Sequence, residues 1–265
     1  MMKILTESLL HRHKKGPRLP VNYTIHPDYT DFENALLTVK EQFASSNESI
    51  HKARNELRIV PLHGIQTVIK AFKVPHLLNR FVYAYLRDSK AKKSYNNAVR
   101  LQELDVPTPQ PIGYIEFFER GLFAQSFFIS KYEPYDFTIR EVLHHEVKDV
   151  ETILRAFTAF TCGLHEKGVW HEDYSPGNIL IRKENGAYTF MLVDINRMQF
   201  RPIGPLEGLK NFSKLWAQPG DLALMGRVYA ERRGIDEALA LKAIAAFDRK
   251  TKAVVNFKKR LKGKK

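Results

Sequence analysis

Apolar side chains change their spacing several times along the chain, and each change marks an element. Phe32, Leu36, Leu37, Val39 and Phe43 recur at three- and four-residue steps, which predicts a helix over 31–43 with Asp31 as its N-cap. The runs 55–60 and 65–72 are short and joined by PLHG, and the second is rich in β-branched residues; they predict two strands and a turn. From 76 to 104 the spacing is helical again, with Leu77, Leu78, Phe81 and Tyr85 in one stripe and Tyr95, Ala98, Val99 and Leu101 in another. Pro107, Pro109 and Pro111 end that helix, and the runs 112–118 and 122–131 around Glu119-Arg120-Gly121 predict an antiparallel pair. Val150, Ile153, Leu154, Phe157, Phe160 and Leu164 then predict a helix over 149–167, stopped by Gly168. Two further apolar runs, 178–182 and 188–193, enclose KENG and predict a β-hairpin. The rest is helical: Asp221 caps a helix through Arg232, and Gly234-Ile235-Asp236 opens the last one.

The hairpin matters because of what stands at its ends. His171, Asp173 and Asn178 precede it in the pattern H-x-D-x-x-x-x-N, and Asp194 closes its second strand. A hairpin returns the chain, so Asp194 comes back toward Asn178 and Asp173. Two carboxylates and a carboxamide oxygen around one void are hard donors suited to Mg²⁺ carrying nucleotide phosphates. Asn178 and Asp194 can serve as those ligands, which leaves Asp173 to take a proton from an attacking hydroxyl. Upstream, Val68-Ile69-Lys70 puts a lysine within a predicted strand; Lys73 competes for the same role but its odd offset aims it at the other face.

This constellation resembles the catalytic core of the protein-kinase-like superfamily, with Asp194-Ile195-Asn196 in the place of D-F-G. The resemblance implies an α+β, bilobal fold: a small antiparallel β-sheet lobe over 22–133 and a mostly helical lobe over 134–256. It implies that Lys70 touches the α- and β-phosphates of ATP and that His171 braces the metal segment without doing proton chemistry. SKYEP, with Lys131 and Tyr132, would be the hinge that pairs with adenine. Ser175 stands where protein Ser/Thr kinases carry a lysine, which argues against an ordinary protein kinase. No G-x-G-x-x-G precedes Lys70, so the segment 52–55 must cover the nucleotide in another way, with Arg54 near the phosphates.

With VIKAFKVPHLLNRFVYAYLRDSKAKKSYNNAVRLQELDVPTPQPIGYIE, HEDYSPGNIL and LVDINRM taken together, the chain is similar to the lipopolysaccharide kinase family of Kdo and heptose kinases over roughly residues 24–215. The similarity implies ATP- and Mg²⁺-dependent phosphorylation of a sugar hydroxyl in the lipopolysaccharide inner core, by a soluble or peripheral enzyme at the cytoplasmic face. Arg197 and Arg201 would contact the acceptor, because a planar guanidinium binds carboxylate or phosphate bidentately. Lys210 and Lys214 extend that patch or only solubilise the chain. The cluster Arg87, Lys90, Lys92 and Lys93 is a solvated helix face or a patch for an acidic acceptor. The family pattern places a glutamate near Asn96 to pair with Lys70; asparagine can hydrogen-bond that lysine but cannot neutralise it, and Glu103 lies two turns further on. A pseudokinase scaffold at the membrane surface is the alternative from another class, and an atypical small-molecule or protein kinase is a third reading.

Charge sharpens the choice of partner. The net charge of +13 and pI near 9.7 favour polyanions. No zinc-finger spacing or RRM-type aromatic motif supports nucleic acid, so a lipid-linked glycan and an anionic membrane surface fit better. Cys162, the single cysteine, lies in an apolar helical run and reads as a buried, inert thiol. No apolar run reaches membrane-spanning length, and the basic leader 1–21 makes a poor signal peptide. A basic tail over 257–265 would be solvated or drawn to anionic lipid.

Overall fold

The structure, a computed structural model, describes residues 20–46, 49–52, 55–73, 76–261 and 263. Most of the basic leader and Arg54 lie outside the described residues. The chain divides into two compact units, one made of Met1–Glu103 with Pro109–Glu133, the other of Leu104–Thr108 with Pro134–Lys265.

The first unit is built on an antiparallel sheet of β1 (Val21–Ile25), β2 (Ser49–Lys52), β3 (Asn55–Leu62), β4 (Ile65–Phe72), β5 (Pro111–Glu119) and β6 (Leu122–Lys131). Its order is β1-β5-β6-β4-β3-β2 among the described residues. Two tight turns set the register. His63-Gly64 joins β3 to β4 with φ of 48° and 75°, and Arg120-Gly121 joins β5 to β6 with φ of 51° and 76°. Paired left-handed residues give the hairpin the twist that its strands already have. Strand alternation then separates two faces. Ile69, Ala71, Ile115, Phe127 and Ile129 pack on Phe32, Leu36, Val39 and Phe43, which come from a 3₁₀ turn (Pro27–Phe32), α1 (Glu33–Leu37) and α2 (Val39–Ser45). The opposite face carries Lys70, Glu116 and Ser126, all buried, and α4 (Lys90–Glu103) lies against that side of the sheet through Tyr95, 5.5 Å from the ring of Tyr114.

Two long helices read from the apolar spacing are each broken here, for local polar reasons. The helix over 31–43 divides at Thr38, whose hydroxyl bonds back to the Asn34 carbonyl at 2.8 Å and accepts from Gln42 Nε2 at 2.8 Å. A β-branched residue that satisfies its hydroxyl on the preceding turn competes with the helical ladder. The helix over 76–104 divides into α3 (Leu77–Tyr85) and α4, because Ser89 accepts the Lys92 N–H at 3.1 Å and starts a new helix. Strands β1 and β2 were invisible to periodicity, being short sheet edges.

The second unit contains β7 (Phe137–Thr138), α5 (Ile139–Leu143), α6 (Val150–Glu166), β8 (Val169–His171), β9 (Ile179–Glu184), β10 (Ala187–Leu192) and β11 (Met198–Phe200). Asn185-Gly186, with φ of 50° and 81°, closes the β9–β10 hairpin. α7 (Pro205–Gly208), α8 (Pro219–Arg233) and α9 (Glu237–Leu261) follow. Asp221 is not a cap: Gln218 holds that position, and Asp221 sits buried in the first turn, 3.1 Å from His145 Nε2. Asp236 does open α9, accepting the Leu239 N–H at 2.8 Å. α9 continues to Leu261, so much of the stretch read as a tail is helix. Cys162 is buried in α6, and burial pushes its thiol up to about 12, in line with an inert group.

Gly113 is where β5 and β1 meet α1. A Cβ there would stand 2.7 Å from the Thr24 carbonyl oxygen and 2.9 Å from Leu36 Cδ2. Backbone cannot give way as a flexible side chain does, so Gly113→Ala should destabilise the protein by roughly 1–3 kcal/mol, measured by chemical denaturation. Unchanged stability would show that β1 does not hold this approach.

Candidate active site

The catalytic-loop candidates are fixed by hydrogen bonds that run through the backbone. His171 ends β8 and is buried. Its Nδ1 accepts the Asp173 N–H at 3.0 Å and its Nε2–H donates to the Val193 carbonyl at 3.2 Å. Those bonds require the neutral ring with its proton on Nε2, the form of a brace rather than a base. Asp173 then turns, with the Ser175 N–H on its carbonyl at 2.7 Å. Asn178 Nδ2 donates to the same carbonyl at 2.8 Å, which leaves the carboxamide oxygen as the outward donor.

Asp194 is held next to this loop by the hairpin. Leu192 pairs with Ile179, and the Val193 N–H donates to the Asn178 carbonyl at 3.0 Å. Asp194 itself is left-handed, with φ of 54°, a conformation that costs energy in a non-glycine residue and re-aims its side chain. Asn196 Nδ2 donates to Asp194 Oδ1 at 2.8 Å and fixes the carboxylate's rotation. Asp173, Asn178 and Asp194 are therefore brought together within the second unit. Among the described residues no group of three or more His, Cys, Asp or Glu forms a metal cluster. One carboxylate and one carboxamide oxygen are hard donors that would fit a Mg²⁺ shell completed by phosphate oxygens and water.

A buried polar chain supports the loop from behind, and sequence reading missed it. The Tyr229 hydroxyl donates to His165 Nδ1 at 2.8 Å, and His165 Nε2–H donates to Asn211 Oδ1 at 2.9 Å. Asn211 Nδ2 donates to the His171 carbonyl at 3.1 Å. Gly208 makes room for this chain, since a Cβ there would lie 2.6 Å from His165 Nδ1. Tyr174, fully buried, is held by the Thr161 hydroxyl at 2.8 Å and stacks on Phe157 at 5.8 Å. Asn196, two residues after Asp194, was the one such residue with a visible cue.

The other predicted residues divide. Lys70 stands on β4 in the first unit, 7% exposed, with Nζ 5.3 Å from the Phe72 ring centre. Asn96 is exposed on the face of α4 opposite the packed stripe of Ala91, Ser94, Tyr95, Ala98 and Leu101, so it does not supply the expected brace for Lys70. Lys131 and Tyr132 donate their N–H groups to the Gln110 and Gln66 carbonyls at 2.9 and 2.8 Å. Those two N–H groups are used within the first unit, so a purine at this segment would meet other backbone N–H and C=O groups of SKYEP. The Arg201 fork is engaged by Glu207 at 2.6 and 3.0 Å, by Gln199 and by the Pro202 carbonyl. That pairing raises the Arg201 pKa and lowers that of Glu207. Arg197 pairs with Glu172 at 3.2 Å but stays exposed. Lys92 pairs with Asp88 at 2.8 Å, whereas Arg87, Lys90, Lys93, Lys210 and Lys214 are exposed.

One arginine not singled out in the sequence sits against the catalytic loop. Arg140 on α5 is exposed, yet its guanidinium lies over Gly177, where a Cβ would come within 2.7 Å of Nη2. The β7–β9 pairing, Thr138 with Leu180, anchors α5 beside the loop. Among the described residues no carboxylate pairs with Arg140.

The antiparallel amino-terminal sheet, the helical carboxy-terminal region and the Asp173–Asn178–Asp194 arrangement define a mixed α+β kinase-like fold. The chain belongs to the lipopolysaccharide kinase (Kdo/WaaP) family, whose sequence model matches residues 73–218, more than half of its length. Among solved structures it is similar to WaaP in complex with acyl carrier protein, with a TM-score of 0.58 at 16% identity over 88% of this chain and 98% of that one. It also matches the kinase WbdD bound to an inhibitor, with a TM-score of 0.43 at 16% identity over 75% of this chain and 44% of that one. A third match is the PknI kinase domain of Mycobacterium tuberculosis, with a TM-score of 0.39 at 15% identity over 72% of this chain and 74% of that one. No curated protein matches the sequence. Membership of a kinase family makes the chain a phosphotransferase by family, with ATP as the implied donor. Among the described residues no helix is long and apolar enough to cross a membrane.

His165 yields a pH prediction. Burial drives its pKa down from 6.5 to about 4, so the folded protein resists a proton that the unfolded chain accepts. Stability from this group is complete above pH 6.5 and is lost as pH falls toward 4, a contribution on the order of 3 kcal/mol. His165→Gln should flatten the acid limb of stability against pH in denaturant titrations. An unchanged limb would show that folding does not shift the His165 pKa.

Proposed function

We propose that this chain transfers the γ-phosphoryl group of ATP to a hydroxyl of a lipopolysaccharide inner-core sugar, Kdo or heptose. The observation that carries the reading is the clasp of Asn178 Nδ2 on the Asp173 carbonyl, with Val193 tied to Asn178 beside Asp194. Asp173 takes the proton of the sugar hydroxyl as its oxygen bonds to the γ-phosphorus and the bond to the bridging oxygen of ADP breaks. Asn178 and Asp194 would hold Mg²⁺, which supplies charge neutralisation at the phosphates. Lys70 directs a cation at the α- and β-phosphates, and positioning accounts for most of the rate. Arg140 joins Arg197 and Arg201 as an anion receptor for the acceptor, because among the described residues no ion pair holds its fork and a Kdo carboxylate or heptose phosphate matches it bidentately. Arg197 assists from the segment after Asp194. The family and the basic charge support action at the cytoplasmic face of a membrane, with lipopolysaccharide core as partner.

Mass spectrometry of lipopolysaccharide from cells with and without the gene tests the reaction: one phosphate should disappear with the gene and return with the wild-type chain but not with Asp173→Ala. Return of the phosphate with that variant would remove Asp173 from the chemistry. Arg140→Ala should raise KM for the core acceptor by roughly tenfold or more, leaving KM for ATP unchanged, as expected for loss of one charge-assisted pair. An effect on ATP alone would assign Arg140 to the nucleotide instead.

A further inference from the structure

α9 has two apolar faces, and only one is used. Ala240, Ile244 and Asp248 are buried, the first two among apolar neighbours, and Thr251 extends this side by bonding Ser213 at 2.9 Å. At about 100° per residue, Leu239, Val254, Phe257 and Leu261 fall on a second stripe, turned by roughly a quarter of the helix or more from the first. These four side chains are 47%, 45%, 63% and 72% exposed. Lys250 lies in line with them, Arg249 and Arg260 flank one side, and Lys258 flanks the other, all exposed. No acidic residue occurs from Arg249 to the end of the sequence given.

Water is a poor environment for three large apolar groups within two turns of one helix. A second copy of α9 would bring its cations against these and be repelled. An anionic bilayer satisfies both parts: the apolar stripe enters the acyl boundary, and lysine and arginine stems extend their charges to lipid phosphates.

We infer that the exposed stripe of α9, Val254-Phe257-Leu261 with its basic flanks, is a docking surface for an anionic membrane and lies in the plane of the interface. This deepens the peripheral part of the proposed function and rests on it only for location, since vesicle binding is read without turnover.

The test is co-sedimentation of the full chain with phosphatidylcholine vesicles, with and without phosphatidylglycerol. The wild-type chain should pellet only with the anionic vesicles and be released by high salt. Phe257→Asp with Leu261→Asp should cut the bound fraction at least about tenfold at an unchanged melting temperature. The same double variant should phosphorylate detergent-dispersed acceptor as the wild type does, whereas Asp173→Ala should bind vesicles and transfer nothing. The inference is overturned if the wild-type chain stays in the supernatant, if the double variant pellets equally, or if light scattering shows a dimer that the double variant dissociates. Failure of transfer in every variant, with binding intact, would instead overturn the phosphotransferase reading.

Discussion

His171 uses both ring nitrogens on the backbone, one bond reaching Asp173 and the other the carbonyl that precedes Asp194. This pair of bonds ties the segment that carries the proposed base to the segment that carries a proposed metal ligand. Each bond demands a different protonation state of its nitrogen, so only the neutral Nε2–H tautomer makes both. The buried chain Tyr229–His165–Asn211 ends on the His171 carbonyl and holds the same residue from the helical side. His165 must remain neutral for that chain to keep its polarity, and burial ensures it does. The candidate active site thus depends on two uncharged histidines that take no part in the chemistry proposed for it.

The cationic groups fall into two sorts. Arg201, stacked 5.6 Å over Trp170, and Lys92 are bound to carboxylates of their own unit and act as struts. Among the described residues no ion pair holds Arg140, Arg249, Lys250, Lys258 or Arg260, and these are the charges that the proposed anionic acceptor or lipid surface would meet. Net charge alone did not separate these sorts; hydrogen-bond geometry did.

What was legible in the sequence follows from physics that acts over a few residues. The β9–β10 hairpin could be read because Asn185-Gly186 sits between two apolar runs, and its return brings Asp194 back toward Asn178. The family resemblance was legible because several spaced motifs agreed; the family match covers those from Lys73 onward and leaves Val68–Phe72, with Lys70, outside it. Helix breaks at Thr38 and Ser89 were not, since apolar spacing continues across both and only a side-chain hydrogen bond decides them. Asn211 and Tyr229 were not either: the residues that they support lie far away in the chain. The occupied forks of Arg197 and Arg201 were hidden for the same reason.

In the proposed reaction Asn178 and Asp194 present oxygens to a metal-bound nucleotide while Asp173 serves the acceptor. A thermal-shift titration with ATP, with and without Mg²⁺, tests it on the wild type, Asp173→Ala, Asn178→Ala and Asp194→Ala. A Mg²⁺-dependent rise in melting temperature is expected for the wild type and Asp173→Ala, and its loss in Asn178→Ala and Asp194→Ala. Equal shifts in all four proteins, or a shift indifferent to Mg²⁺, would contradict it.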